Sequence, residues 1–316
     1  MSTRTAVALA AVLLLAACDN VRPPRTGEQP AVDSRTPATA ATAAPVAAPG
    51  EFSPPSEADI PEGPFGDMIR HGRDIILDTP THAAEFVGNG LSCGNCHLDA
   101  GRKADSAPLW GAWVRYPAYR GKNQRVNNYT ERLQGCFSYS MDGSPPPAGH
   151  EVLVALEAYS YWMSQGAPVG ATLPGAGYPK GERPPADPDF ARGQAVFDGN
   201  CAICHGADGR GQQVDGRYVF PPLWGPDSFN WGAGMHQLDN AAAFIQANMP
   251  LGKGGTLSLQ EAWDVALYMN SHERPQDPRF TGDVAETRRR YHDDPDSPYG
   301  TTTVDGRLLG ANPATR

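Results

Sequence analysis

The sequence predicts an all-α body built as two domains in tandem. Three observations predict it. Apolar side chains recur at helical spacing in four segments, with no alternating strand pattern. The order of parts repeats once along the chain. And 35 glycines with 31 prolines among 316 residues imply short elements joined by long loops. Hydrophobic residues make up 40%, a little below the usual range, so the core needs something besides apolar side chains. A cofactor is one candidate. With 26 basic and 35 acidic residues the formal charge is −9. That argues against nucleic acid as a partner, which needs a basic footprint.

Residues 1–17 read as a lipoprotein signal peptide. Arg4 precedes the uncharged apolar run Ala6 to Ala17, too short to span a bilayer but suited to a signal-peptide core. The run ends Leu15-Ala16-Ala17-Cys18. Small residues before a cysteine resemble a bacterial lipobox, so Cys18 is expected to be acylated and to anchor the chain on a membrane surface. Ordinary cleavage nearby is the alternative. Residues 18–60 are rich in Ala, Pro and Thr and cannot bury enough surface to offset ordering entropy. They are expected to be a disordered tether reaching about 35 Å.

The first domain is placed at 61–170, a linker at 171–186, the second domain at 187–285 and a tail at 286–316. In the first domain an amphipathic helix, Asp67 to Leu77, is followed by Cys93-Gly94-Asn95-Cys96-His97 and then Pro108-Leu109-Trp110-Gly111. A closing helix runs from about His150 to Ser164, with Val152, Leu153, Leu156, Tyr159 and Trp162 at helical spacing. The second domain repeats this order. Its helix Asp189 to Phe197 precedes Cys201-Ala202-Ile203-Cys204-His205, then Pro222-Leu223-Trp224-Gly225, then a closing helix from about Ser258 to Ser271. The stretch Gly166 to Pro188 is dense in Gly and Pro, as a linker should be. The tail is charged and polar and is expected to pack loosely.

Each C-x-x-C-H segment is a signature of c-type haem attachment. Two thiols on one turn add to the two vinyl groups, and the adjacent histidine ligates the iron. One copy occurs by chance. Two copies behind a secretory leader are much stronger, because this attachment takes place outside the cytoplasm. Zinc is disfavoured because the two Cys pairs are more than a hundred residues apart. A redox dithiol would need a βαβ setting, and disulfides would not need the histidine. Two covalent haems are therefore expected, with His97 and His205 as proximal ligands. In class I cytochromes a proline carbonyl beyond the motif accepts the histidine Nδ1–H, which points to Pro108 and to Pro222 or Pro221.

The distal ligands differ between the halves. Met249 lies 44 residues after His205, just before the closing helix, where a class I cytochrome carries its ligating methionine. Met235 is the rival. His/Met ligation raises the potential and suits electron transfer. In the first half the equivalent place holds Cys136, 39 residues after His97, with Met141 as rival. A free thiol in an oxidising compartment needs a reason, and ligation of iron as thiolate is one. Seven basic residues fall between Arg102 and Arg132, opposed only by Asp105 and Glu131. This surplus points to an anion-attracting pocket beside the first haem. Asp187 to Arg279 holds six basic and eleven acidic residues. The first haem is thus read as the chemical site and the second as the electron outlet.

The segments VGNGLSCGNCHLDAGR, APLWGAWVRYPAYRGKN, ERLQGCFSYSMDG, YSYWMSQGAPVG, FPPLWGPDSFNWGAGMH and ANMPLGKGGTLS resemble those of the diheme thiosulfate dehydrogenases, which also act as tetrathionate reductases. The resemblance spans roughly residues 66 to 300. It implies two class I cytochrome c domains, each with one covalently bound haem, and Cys136 as the thiolate ligand of the active-site haem. It implies Arg132 and Ser140 near the substrate, and Lys122 as a further basic residue there. Members of that family vary between methionine and lysine at the second haem. Here Asn248 precedes Met249, which implies His/Met ligation. The expected reaction joins two thiosulfates into tetrathionate, with two electrons leaving through the haems to a periplasmic or membrane partner such as another cytochrome. The motifs leave the preferred direction open. Two other readings compete: a lipid-anchored diheme electron carrier without catalysis, and a Sox-type cysteine S-thiosulfotransferase. A diheme peroxidase fits less well.

Overall fold

A computed structural model describes residues 52–179 and 182–316. The leader, Cys18 and tether residues 19–51 lie outside the described residues. The end of the expected tether, 52–60, is ordered instead of disordered: Phe52 meets Trp110 at 5.2 Å and Ile60 is buried, because these two side chains join the first core. Seven helices of eight or more residues carry the described fold: α1 (Pro64–Leu77), α2 (Tyr129–Tyr139), α3 (Glu151–Met163), α4 (Phe190–Asn200), α5 (Leu238–Asn248), α6 (Leu259–Asn270) and α7 (Val284–Tyr291). Two antiparallel hairpins accompany them, β1 (Ala118–Arg120) with β2 (Arg125–Asn127), and β3 (Gln212–Val214) with β4 (Arg217–Phe220). Strands of three or four residues are too short to show alternation, so periodicity misses them.

The helix ends follow from local chemistry. Pro64 opens α1, where its missing N–H costs nothing. Asn128 and Glu131 form a capping box on α2, and Ser258 and Glu261 form one on α6. His150 caps α3 and Asp189 caps α4 through side-chain acceptors.

The two halves share one packing device. In the first, α1 crosses α3, and in the second α4 crosses α6. Each crossing is made close by a glycine. A Cβ on Gly72 would lie 2.1 Å from the Ala155 carbonyl oxygen, and one on Gly193 would lie 2.0 Å from that of Asp264. Ile69, Ile75, Leu153, Leu156 and Tyr159 fill the first core, and Phe197, Trp263, Ala266 and Met269 the second. α2 is tied to α3 by Tyr129 Oη, which donates to Ser160 Oγ at 2.8 Å.

The tail departs from expectation. Instead of packing loosely, it buries Tyr299 and Leu309 against Trp231. His292, fully buried, stacks on Tyr299 at 4.2 Å and meets Asp277 Oδ2 at 2.9 Å through Nε2. A small apolar cluster and buried hydrogen bonds together hold this polar segment down. Described residues of the proposed linker also pack inward. Gly175 and Gly177 accept from the Asp105 and Ala107 N–H groups at 2.9 Å.

Candidate haem and active site

One cavity is lined by both C-x-x-C-H segments. Its walls are mainly apolar, with Leu91, Leu156, Phe229, Phe244 and Val265 among them. The five cysteines among the described residues are all unbridged. Burial pushes the Cys93 thiol up to about 12 and the Cys96 and Cys201 thiols to about 11, so as free side chains they would be neutral. His97 and His205 both face this space and are anchored from behind. The Nδ1 of His205 lies 2.8 Å from the Pro221 carbonyl oxygen, one of the two prolines expected there. For His97 the acceptor is Ala107, at 2.7 Å, and not Pro108. The reason is local. Ala107 takes a positive φ of 51°, which turns its carbonyl to the ring while Pro108 becomes the N-terminal cap of the short helix Leu109–Trp113. In each half Nδ1–H donates to a carbonyl, leaving the Nε2 lone pair free to bind a metal. Paired thiols, an oriented imidazole and an apolar wall together fit a covalently bound haem in each half.

Across the first motif, α2 and its C-terminal cap present Arg132, Cys136 and Ser140 on one face, four residues apart. All three line the cavity. Arg132 Nη1 donates to Cys136 Sγ at 2.8 Å. The Cys136 sulfur beside it raises the Arg132 pKa, although burial opposes this. A cation therefore sits at the sulfur under any ordinary condition. Ser140 is held through its backbone, whose carbonyl accepts from Asn89 Nδ2 at 2.9 Å.

Lys122 stands apart from the other predicted residues. It does not line the cavity. Its ammonium lies 3.7 Å from the centre of the Tyr139 ring and donates to the Gly232 carbonyl. Burial first, then Arg279 and Arg132, push it down to about 7. Arg279 shares the Tyr139 ring at 5.1 Å and is paired with Asp277 at 2.6 Å. Sequence reasoning missed Arg279, because only the fold brings it from the end of the second half to Lys122.

In the second half Met249 and Met235 both line the cavity, as Met141 does in the first. The inter-half segment adds Tyr178, which also lines it and meets Phe244 edge-on at 5.6 Å. Tyr178 lies in a stretch that reads as linker, so no periodicity marked it.

Two family models match this chain. "SoxA/TsdA, cytochrome c domain" matches residues 83–169, and "Cytochrome C oxidase, cbb3-type, subunit III" matches residues 188–269. Among curated proteins, the thiosulfate dehydrogenase of Thiomonas intermedia is 59% identical over 82% of this chain and 82% of its own length. That of Stutzerimonas stutzeri is 58% identical, covering 82% and 85%. That of Allochromatium vinosum is 44% identical, covering 72% and 86%. Among solved structures, the "as isolated" thiosulfate dehydrogenase (TsdBA) of Marichromatium purpuratum superposes with a TM-score of 0.82 at 52% identity. The match covers 85% of this chain but 60% of that one.

Proposed function

Since this chain belongs to the thiosulfate dehydrogenase family of two-haem c-type cytochromes, we propose that it couples two thiosulfates into tetrathionate at Cys136. The observation that carries this is the Arg132–Cys136 contact of 2.8 Å on a wall shared with the first haem motif. The haems, when bound, supply two one-electron acceptors, which match a two-electron couple. His97 and Cys136 would hold the first iron, and His205 and Met249 the second. Met249 is preferred to Met235 because it directly follows α5, before the closing helix, as in class I cytochromes.

The steps assigned to the protein's own groups balance as follows. The Cys136 thiolate and the outer sulfur of one thiosulfate form an S–S bond, with loss of two electrons. A second thiosulfate attacks that sulfur, forming the central bond of tetrathionate and releasing the Cys136 thiolate. Two dianions must approach one another, and Arg132 offsets that repulsion at the sulfur. Ser140 offers a hydroxyl on the same wall. Lys122, set behind Tyr139, would add positive field while it is protonated, which burial and its two arginine neighbours disfavour. The same bonds run backwards in tetrathionate reduction.

The test uses purified haem-loaded protein with thiosulfate and ferricyanide. One tetrathionate is expected per two ferricyanides reduced. No turnover with both haems intact would overturn the proposal. It would leave an electron carrier, or a transferase that needs a carrier-protein thiol.

For the whole protein we infer a periplasmic site, since covalent haem attachment takes place outside the cytoplasm. No helix among the described residues is long and apolar enough to cross a membrane. Attachment to the membrane surface would then rest on lipid at Cys18. The electron partner is read as another cytochrome, meeting the acidic second half.

A further inference from the structure

We infer that Asn248 is a positioning residue through which the second half sets the ligand field of the first haem. Asn248 is the last residue of α5 and directly precedes Met249. Its side chain is fully buried. Nδ2 donates at 3.1 Å to the Phe244 carbonyl of its own helix. The same nitrogen donates at 3.0 Å to the Asp105 carbonyl, 143 residues away in the other half. Oδ1 is buried with no hydrogen-bond partner. A buried polar atom without a partner is a cost, and the only polar contacts of this side chain that offset it are the two made by Nδ2.

The Asp105 loop explains the need. Asp105 and Ala107 both adopt positive φ, 61° and 51°, a region that non-glycine residues occupy only when surroundings hold them there. The surroundings here are countable. Gly175 and Gly177 accept from the Asp105 and Ala107 N–H groups. Ser106 Oγ donates to the Lys103 carbonyl at 2.7 Å. Asn248 secures the Asp105 carbonyl from the opposite side. This loop delivers the Ala107 carbonyl to His97 Nδ1 at 2.7 Å. That bond gives the imidazole anionic character, which raises its basicity toward iron and favours the oxidised state. Releasing Asn248 loosens the carbonyl, weakens the bond and raises the potential of the first haem. One amide therefore ties the His97 acceptor to the segment that carries Met249.

The inference rests on His97 ligating the first haem. Its test is a potentiometric titration of the two-haem protein, with electron paramagnetic resonance to identify the histidine–thiolate centre. Asn248→Ala is expected to raise the midpoint of that centre and shift its g-values. Asn248→Ser, smaller and without the amide, should do the same. Met249→Ala is the control, because it perturbs the second haem while leaving both Asn248 bonds in place. The inference is overturned if the Asn248 variants leave the first centre at its original midpoint, or move it no more than Met249→Ala does. Failure of both Asn248 variants to load haem would also overturn it, making Asn248 a folding residue. Absence of any histidine–thiolate signal in the unmodified protein would instead defeat the ligand assignment.

Discussion

Cys136 and Arg132 stand one helical turn apart on α2, and their contact at 2.8 Å joins a soft sulfur donor to a fixed cation. A guanidinium cannot be deprotonated in this setting, so it steadies charge at sulfur whichever bond the sulfur is making. Cys136→Met offers another sulfur donor but no nucleophilic thiolate. Both haems should remain attached through their own thiols, and thiosulfate turnover should fall by at least about 10³-fold, the scale on which losing a nucleophile acts. Near-normal turnover in the ferricyanide assay would rule out the covalent step. The cysteine was legible because it was the one thiol that no other motif used. The partner atom of His97 was not. A one-residue shift from Pro108 to Ala107 depends on a positive φ that nothing in the Ala-Pro-Leu-Trp-Gly string announces.

Helix pairs repeat at the next scale. Gly72 faces Ala155 and Tyr159, and Gly193 faces Asp264 and Tyr268, each glycine meeting a carbonyl and the Cβ of the tyrosine four residues on. The halves thus share the geometry of their crossing as well as the order of their motifs. Either Gly72→Ala or Gly193→Ala would force the helices apart. Overpacking of this kind costs about 1–3 kcal/mol, or about 2–4 °C in Tm per kcal/mol for a protein of this size. Gly199, also in α4, meets nothing within 4 Å, so Gly199→Ala should be neutral or stabilising. Equal thermal shifts at all three sites would refute the close-crossing argument. The closing helices were legible because their apolar stripes run for three turns. α2 was not, because Tyr129–Tyr139 mixes Glu, Arg, Gln and Gly with few large apolar residues. α5 hides for a different reason. Its buried face includes three consecutive alanines, 241 to 243, which give little contrast in the sequence.

At the scale of the molecule the two halves interlock. Arg217 pairs with Asp78 at 2.6 Å, and Asn89 Nδ2 donates to the Ser228 carbonyl at 3.2 Å. Asn230 Nδ2 donates to Asp142 Oδ1 at 2.9 Å, and the C-terminal Arg316 pairs with the same aspartate at 2.7 Å. The tail completes this junction instead of trailing from it. Membrane attachment belongs to this scale as well. If Cys18 carries the anchor, Cys18→Ala should release haem-loaded protein into the soluble periplasmic fraction with unchanged specific activity. Persistence in the membrane fraction would discard the lipid anchor.

The sequence by itself determined the two haem attachments, the helical class and the family. These rest on local spacing: thiols three apart, a histidine next to them, apolar residues on one helix face. Tertiary structure alone decided that both motifs open on one cavity, and that Lys122 stands behind Tyr139. It also decided that Asn248 reaches the loop behind His97 and that a polar tail is buried. Those facts bring together residues distant in the chain, 143 positions for Asn248 and Asp105, and 110 for Lys122 and Gly232. Their cause is the packing of the whole chain, which no local pattern encodes.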